Sequence, residues 1–199
     1  MRTRTAVLVG LAGLMLSAPA QAGHHLWKVS EAFSNASGSV QFVELFCTAN
    51  SEAGLGAFTL TSTTNTLNFV TNLPSATTLN TWALCATSNF ASQAGGITPD
   101  YIIPANFFPT GGGTLNYASG IDAWAYGAVP TDGVNSLNKS TSNIVTTGVN
   151  SPHNFAGASG SVNLASTVSA TSTWGIVLTL GALLLVASGL LRKREPSRA

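Results

Sequence analysis

Apolar residues occur in short runs along most of this chain, and Ser, Thr, Asn and Gly separate one run from the next. Val, Phe, Trp and Thr favour extended backbone, whereas the residues between the runs favour turns. The pattern therefore predicts an all-β domain. Its strands are expected at 26–33, 40–47, 57–61, 66–70, 80–86, 100–104, 114–117 and 123–126. The run at 40–47 is apolar on both faces, as is typical of a central strand, whereas 129–154 lacks alternation and predicts an ordered loop.

Near the C-terminus the apolar pattern lengthens into one stretch, 174–191, that contains no charged residue. As a helix it would be about 27 Å long, close to the hydrocarbon thickness of a bilayer. A basic cluster follows at once: Arg192, Lys193 and Arg194. Such a cluster is held on the cytoplasmic side of a membrane. We therefore predict a transmembrane helix at 174–191, a basic cytoplasmic tail at 192–199, and export of everything before them.

The N-terminus predicts the same topology. Arg2 and Arg4 precede an apolar run at 6–16, and Ala20-Gln21-Ala22 has the small-x-small pattern of a cleavage site. The apolar run is too short to span a bilayer, so residues 1–22 read as a signal peptide. Signal peptidase is then a partner, and Gly23 becomes the first residue of the exported chain. The alternative is an uncleaved N-terminal anchor.

Between these segments lie one domain, 23–156, and a stretch of Gly, Ala, Ser, Thr and Val at 157–173 that predicts a flexible stalk. The exported part has six acidic residues and two lysines, hence a net charge of −4. These residues are Glu31, Glu44, Glu52, Asp100, Asp122, Asp132, Lys28 and Lys139. Nucleic-acid binding needs a Lys/Arg footprint that this composition lacks, so we expect no nucleic-acid partner.

Both cysteines, Cys47 and Cys85, lie in the part predicted to be exported. An oxidising compartment permits a disulfide between them, and two buried free thiols are the alternative. Two cysteines alone are too few for a closed zinc site.

Four stretches of the domain, in order, are similar to motifs of the lamin-tail-like domain of nuclear lamins and secreted bacterial proteins. They are Lys28-Val-Ser-Glu-Ala-Phe-Ser-Asn35, Gln41-Phe-Val-Glu-Leu-Phe46, Thr131-Asp-Gly-Val-Asn-Ser-Leu-Asn-Lys139 and Asn150-Ser-Pro-His-Asn154. The resemblance spans most of 26–156 and implies an immunoglobulin-like β-sandwich with a binding or architectural role. Lys139 stands where the family tends to have Arg, which weakens any bidentate pairing carried over.

The C-terminal region resembles sorting signals of the exosortase type, which combine a short motif, a spanning helix and a basic cluster. Trp174-Gly175 directly before the apolar run is similar to one variant of that motif, with Arg192, Lys193 and Arg194 as the basic cluster. The Ile-Pro-Thr-Leu part of the variant is absent, and so is an upstream Pro-Glu-Pro. The resemblance implies a sorting transpeptidase as a partner and an extracellular polysaccharide matrix as the destination. A permanent single-span anchor is the alternative.

Candidate chemistry in the domain begins with Glu31. Strand alternation places it on the face of Trp27, Val29 and Phe33, where a carboxylate needs a partner. We expect a structural ion pair with Lys139, or a role as backbone acceptor, rather than catalysis.

Cleavage before Gly23 would give a chain that begins Gly-His-His. Its amine, two amide nitrogens and the imidazole of His25 can surround Cu(II) or Ni(II), so His24 and His25 are metal candidates. Asp100, Asp122 and Asp132 are candidate Ca²⁺ ligands, although none lies in a spaced acidic loop. Phe107 and Phe108 precede a proline, and we expect one of the two rings to form an exposed contact patch.

No nucleophile elbow, metal-ligand helix, phosphate loop or paired-carboxylate motif occurs in the sequence, so we expect neither an enzyme nor a cofactor. The sequence predicts an exported protein, anchored in the membrane or released to the cell surface, with a structural or adhesive β-sandwich. A secreted glycan- or calcium-binding module is the alternative. An enzyme is the third hypothesis and would need a cleft with converging polar groups.

Overall fold

The computed structural model describes residues 23–164. The predicted signal peptide at 1–22 and the sorting or transmembrane segment, with Trp174, Gly175, Arg192, Lys193 and Arg194, lie outside the described residues. In the part of the chain that is described, no helix is both long enough and apolar enough to cross a membrane.

The described residues form ten strands, connected by loops and three short 3₁₀ helices. The strands are β1 Trp27–Ser34, β2 Gln41–Cys47, β3 Thr59–Thr61, β4 Thr66–Asn68, β5 Thr81–Thr87, β6 Tyr101–Ile103, β7 Gly113–Tyr117, β8 Asp122–Tyr126, β9 Asn135–Lys139 and β10 Val145–Val149. The 3₁₀ helices are Leu55–Ala57, Phe90–Ser92 and Ala118–Gly120.

The strands build two sheets, and the domain is an all-β sandwich as predicted. The six-stranded sheet has the order β10-β9-β1-β2-β5-β6, and the four-stranded sheet has the order β4-β3-β7-β8. Neighbouring strands are antiparallel except β5 and β6, which are parallel. The prediction of a central strand at 40–47 is confirmed, because β2 lies inside the six-stranded sheet with strands on either side.

The prediction of a loop throughout 129–154 is wrong, since β9 and β10 form a hairpin there. Their sequences, NSLNK and VTTGV, carry few apolar side chains, so alternation cannot reveal them. Long-range pairing with β1 holds β9 as a strand, with Glu31 opposite Asn138, and β10 pairs only with β9 among the described strands.

The main core lies between the two sheets. The six-stranded sheet contributes Val43 and Leu45, and the four-stranded sheet contributes Leu115 and Tyr117, all fully buried. Each such side chain contributes on the order of 2 kcal/mol when removed from water.

Phe107 and Phe108 are both buried as well, so the expected exposed patch is wrong. The Gln41 side chain makes this possible because it satisfies the loop backbone. Its Nε2 donates to the Phe108 carbonyl at 2.9 Å, and its Oε1 accepts the Phe108 N–H at 3.3 Å.

The outer face of the six-stranded sheet carries a second apolar layer. Phe33, Phe42 and Leu84 are covered there by Phe90 and Val162, all of them with no exposed surface. Residues 157–164 therefore pack on the domain, although the sequence places them in the stalk. The domain extends at least to residue 164, and any stalk begins after it.

The predicted disulfide between Cys47 and Cys85 does not form; both are buried free thiols, the alternative left open above. In the β2–β5 register Cys47 lies opposite Thr81, and Cys85 lies opposite Val43. The cysteines are thus offset by four residues, or about 13 Å at 3.3 Å per residue, well beyond the Cα separation of about 7 Å that a disulfide tolerates. Burial raises the pKa of both thiols, most strongly that of Cys85.

Candidate functional site

A β-bulge in β1 brings Glu31 to the outer face of the six-stranded sheet. Val29 pairs with Leu45, but Glu31 pairs with the next residue, Glu44, so Ser30 is an extra residue in β1. A bulge of this kind reverses the alternation of side chains along the strand. Glu31 therefore leaves the face of Val29, contrary to the prediction.

Glu31 and Glu44 lie directly opposite each other on neighbouring strands and are 2% and 3% exposed. Glu31 accepts hydrogen bonds from the Ser136 hydroxyl at 2.6 Å, the Ser151 N–H at 2.9 Å and the Ser151 hydroxyl at 3.2 Å. Burial raises the pKa of Glu31 to about 7, and the nearby charge of Glu44 adds to that effect while the hydrogen bonds oppose it. The carboxyl therefore changes its charge near neutral pH.

Glu44 holds His153. One oxygen of Glu44 accepts the Ser30 hydroxyl at 2.9 Å, and the other accepts the His153 N–H at 2.6 Å. That second oxygen also lies 3.2 Å from His153 Nδ1. This hydrogen bond raises the pKa of His153, although partial burial opposes the shift. The imidazole ring stacks on Trp82 with ring centroids 4.5 Å apart.

We call Glu31, Glu44 and His153, together with their serine partners, the acid cluster. Its contacts give it a structural role. The segment 150–154 crosses the outer face of the sheet, and the two carboxylates accept its backbone N–H groups. All four carboxylate oxygens accept hydrogen bonds from the chain. The cluster holds the fold together.

The predicted ion pair between Glu31 and Lys139 is wrong. Glu31 lies opposite Asn138, so the next residue, Lys139, points to the other face of the sheet. Lys139 Nζ lies instead 2.7 and 2.9 Å from the carboxylate oxygens of Asp122. Asp122 also accepts the N–H of Val29 at 2.8 Å, so this buried pair joins the two sheets through the core.

A shallow groove of about 400 Å³ is lined in part by the acid cluster itself. Trp82, which stacks on His153, forms one part of the lining, and the hydroxyl-bearing residues Ser30 and Thr146 form another. Trp82 also contacts Phe46, with ring centroids 5.3 Å apart. An aromatic ring next to hydroxyls is a surface on which a sugar can stack and form hydrogen bonds.

The metal predictions find little support in the described geometry. Within residues 23–164 no group of three His, Cys, Asp or Glu side chains is arranged to hold a metal ion. The three aspartates predicted as Ca²⁺ ligands bind protein groups instead. Asp100 accepts the N–H of Leu84 and Phe155, Asp122 pairs with Lys139, and Asp132 accepts the N–H of Val134 and Asn135.

At the start of the described chain, the His24 ring stacks on Phe58, with His25 beside it. Partial burial lowers the pKa of His24, and His25 adds to the shift. The backbone N–H of Gly23 donates to the Ser51 carbonyl at 2.6 Å. The copper site at a processed N-terminus stays a prediction.

Sequence reasoning missed Ser136, Ser151 and His153 as partners of the two glutamates. Ser136 and Ser151 lie in a region without periodicity, although both belong to stretches that resemble lamin-tail-like motifs. Those stretches do converge, because β1, β2, β9 and the segment 150–154 all contribute to the acid cluster. Comparison with protein-family models, curated proteins and solved structures gives no match for this chain.

Proposed function

We propose that this protein is an exported cell-surface protein whose β-sandwich has a structural or adhesive role. The targeting segments of the sequence support export, with the C-terminal helix acting as a permanent anchor or as the substrate of a sorting transpeptidase. The engagement of the acid cluster within the fold supports a role that does not require chemistry. An exposed strand edge supplies the surface through which such a protein could adhere.

That edge is β10, and it is the observation that carries the proposal. β10 pairs with β9 on one side and with no other described strand. Val145 and Val149 are 44% and 60% exposed, although they share the core-facing side of the sheet with Leu137. The four-stranded sheet is narrower than its partner and leaves them uncovered.

Sheet edges in monomeric proteins are usually protected by charges, prolines or bulges. The stretch 140–151 contains no charged residue and no proline, so β10 has none of these devices. The partner that fits best is a second copy of the chain. Two β10 strands paired antiparallel about Thr147 place Val145 of one copy opposite Val149 of the other, and no like charges meet.

The contact would be small, because one short strand and a few apolar side chains bury well under the roughly 1,200 Å² of a stable interface. Association is therefore expected to be weak in dilute solution and effective where many copies share one surface, since tethering raises the local concentration. This behaviour suits a protein displayed on a cell envelope.

Thr147→Lys tests the proposal, because it places two like charges at the centre of the strand pair. Thr77→Lys is the matched control, since Thr77 is also exposed and lies far along the chain from β10. We expect sedimentation across a concentration series to show self-association of the wild type and the control, and its loss in Thr147→Lys. A wild type that stays monomeric at every concentration, or a Thr147→Lys variant that associates like the control, contradicts the proposal.

We also propose that the sandwich is immunoglobulin-like and of the lamin-tail-like kind. The convergence of all four motif stretches on one cluster supports this, because distant segments that resemble one family meet in space. An experimental structure whose strand connections differ from the immunoglobulin-like arrangement would contradict it.

A glycan-binding role is the second candidate, and the groove beside Trp82 favours it. Titration of the protein with the polysaccharide of its own envelope, followed by Trp fluorescence, is the test. Binding should fall at least ten-fold in Trp82→Ala and remain unchanged in Val70→Ala, a substitution at an exposed apolar residue outside the groove. Equal binding by both variants counts against the groove.

A further inference from the structure

Glu52 is a buried carboxylate without a cationic partner among residues 23–164. The residue is 9% exposed, and among the described residues its side chain accepts one hydrogen bond, from the Leu26 N–H at 3.2 Å. The ion pairs of the described residues involve other acids. Its backbone is fixed, because its carbonyl accepts the Trp27 indole N–H at 2.6 Å and its N–H donates to Thr78 Oγ1 at 3.1 Å. A buried charge in this position calls for a compensating positive charge.

The carboxylate lies against Gly23. A Cβ added to Gly23 would lie 2.5 Å from Glu52 Oε1 and 2.9 Å from its carboxyl carbon, so no side chain fits there unless Glu52 moves. The nitrogen of a residue lies about 2.5 Å from its Cβ position, which places the Gly23 nitrogen within about 5 Å of Oε1. Gly23 is itself held on both sides, since its N–H donates to Ser51 and its carbonyl accepts the Gly54 N–H at 2.9 Å.

Gly23 is also the residue that the small-x-small pattern makes the first of the exported chain. We propose that Glu52 is the receptor for the α-ammonium group of Gly23, which removal of residues 1–22 creates. Hydrolysis of the Ala22–Gly23 bond adds the hydroxyl of water to the Ala22 carbonyl and its remaining proton to the Gly23 nitrogen. The new carboxylic acid then releases a proton, and the new amine takes one up at neutral pH. The neutral peptide N–H thereby becomes an ammonium group with three N–H donors. One of them still donates to the Ser51 carbonyl, and the others face Glu52.

The pair has consequences for stability and for metal binding. The processed chain is more stable than any form whose Gly23 nitrogen is blocked, and a side chain at residue 23 would have to displace the Glu52 carboxylate. The same nitrogen would be the first ligand of a copper site at the terminus, so the pair with Glu52 competes with Cu(II). Among the described residues, the other ionisable groups near the terminus include His24, His25, Tyr117 and Cys47. The charge of Glu52 acts on His24, Tyr117 and Cys47, and none of them forms an ion pair with it.

The test uses the processed chain, residues 23–199, kept in detergent, and a second preparation that retains Ala22. Urea unfolding is measured for both, each with Glu52 and with Glu52→Gln. We expect the extra residue to raise the unfolding equilibrium constant about ten-fold when Glu52 is present and not to change it in Glu52→Gln. Asp132→Asn, which removes an exposed acid, should retain the ten-fold difference. An equal effect of Ala22 in Glu52→Gln overturns the proposal.

Two further measurements separate a charge pair from a steric effect. The α-amine should titrate above its usual range of about 7.7–8.0 in the wild type and within that range in Glu52→Gln, as seen by NMR. Cu(II) alone should bind the processed protein at least ten-fold more weakly than it binds a free Gly-His-His peptide. An α-amine with an ordinary titration, or Cu(II) binding equal to that of the peptide, would overturn the pair.

The inference rests on the export proposed above, but the two can fail separately. The recombinant chain that begins at Gly23 tests the pair directly. Sequencing the N-terminus of the exported protein tests the processing, and a terminus other than Gly23 would overturn the biological part of the inference.

Discussion

Replacing Glu31 by glutamine should remove most of the pH dependence of this domain's stability between pH 5 and pH 9. Glu31 is buried beside Glu44, and burial raises its pKa from an ordinary value of 4.5 to about 7. A glutamine can keep the contacts, because its oxygen accepts from Ser136 and from the Ser151 N–H while its amide donates to the Ser151 hydroxyl. The substitution therefore mimics the protonated acid.

The sign follows from the direction of the shift. An acid whose pKa is higher in the folded protein holds its proton more tightly there, so its contribution is most favourable below 4.5 and is lost as the pH rises through about 7. Full ionisation of Glu31 lowers the unfolding free energy by about 3.4 kcal/mol, because a pKa difference of one between the folded and unfolded protein corresponds to about 1.4 kcal/mol. About 2.5 kcal/mol of that loss falls between pH 5 and pH 9. The raised pKa of His153 acts in the same direction, so a smaller slope should remain in the variant.

Urea unfolding at pH 5, 7 and 9 measures this difference. We expect Glu31→Gln to be more stable than the wild type by about 1 kcal/mol at pH 5 and by about 3 kcal/mol at pH 9. Asp132→Asn is the control, because hydrogen bonds from Asn135 and Val134 lower the pKa of Asp132 and its titration ends below this window. Parallel pH profiles for wild type and Glu31→Gln would refute the reasoning.

Three further predictions follow from the core. Lys139→Met should lower the unfolding free energy by about 3–5 kcal/mol, because it leaves Asp122 buried without its partner. Adding Asp122→Leu should recover part of that loss. If the effects of the two substitutions on the unfolding free energy were fully additive, the pair would be contradicted. Cys47 and Cys85 should both react with a maleimide only after unfolding, as mass spectrometry would show, whereas a protein that needs a reductant before labelling contains the disulfide. Val162→Ala should lower the unfolding free energy by about 2 kcal/mol, and no change would place this residue outside the domain.

Strands with apolar alternation could be predicted from the sequence, whereas strands defined by long-range pairing could not. The ranges predicted for β1, β2 and β5 agree with the structure to within a residue or two, because their apolar side chains face the two hydrophobic layers. The polar sequences of β9 and β10 conceal them, since β9 is held by β1, which is distant in the chain, and β10 pairs only with β9 among the described strands.

The candidate site was predicted only in part, for the same reason. A single bulged residue, Ser30, moves Glu31 to the opposite face, and nothing local in the sequence marks the bulge. The register between β2 and β5 decides whether Cys47 can reach Cys85, and register depends on the whole sheet. The sequence did identify Glu31 as the acid of interest, because carboxylates within apolar strands need partners.

Mass spectrometry of the protein recovered from the cell envelope tests the central claim most directly. The account predicts a chain that begins at Gly23, is found outside the cytoplasm, and either retains residues 174–199 in an anchored protein or ends before the apolar stretch in a sorted one. A chain recovered from the cytosol in soluble form, with residues 1–22 and 174–199 both intact, would contradict it.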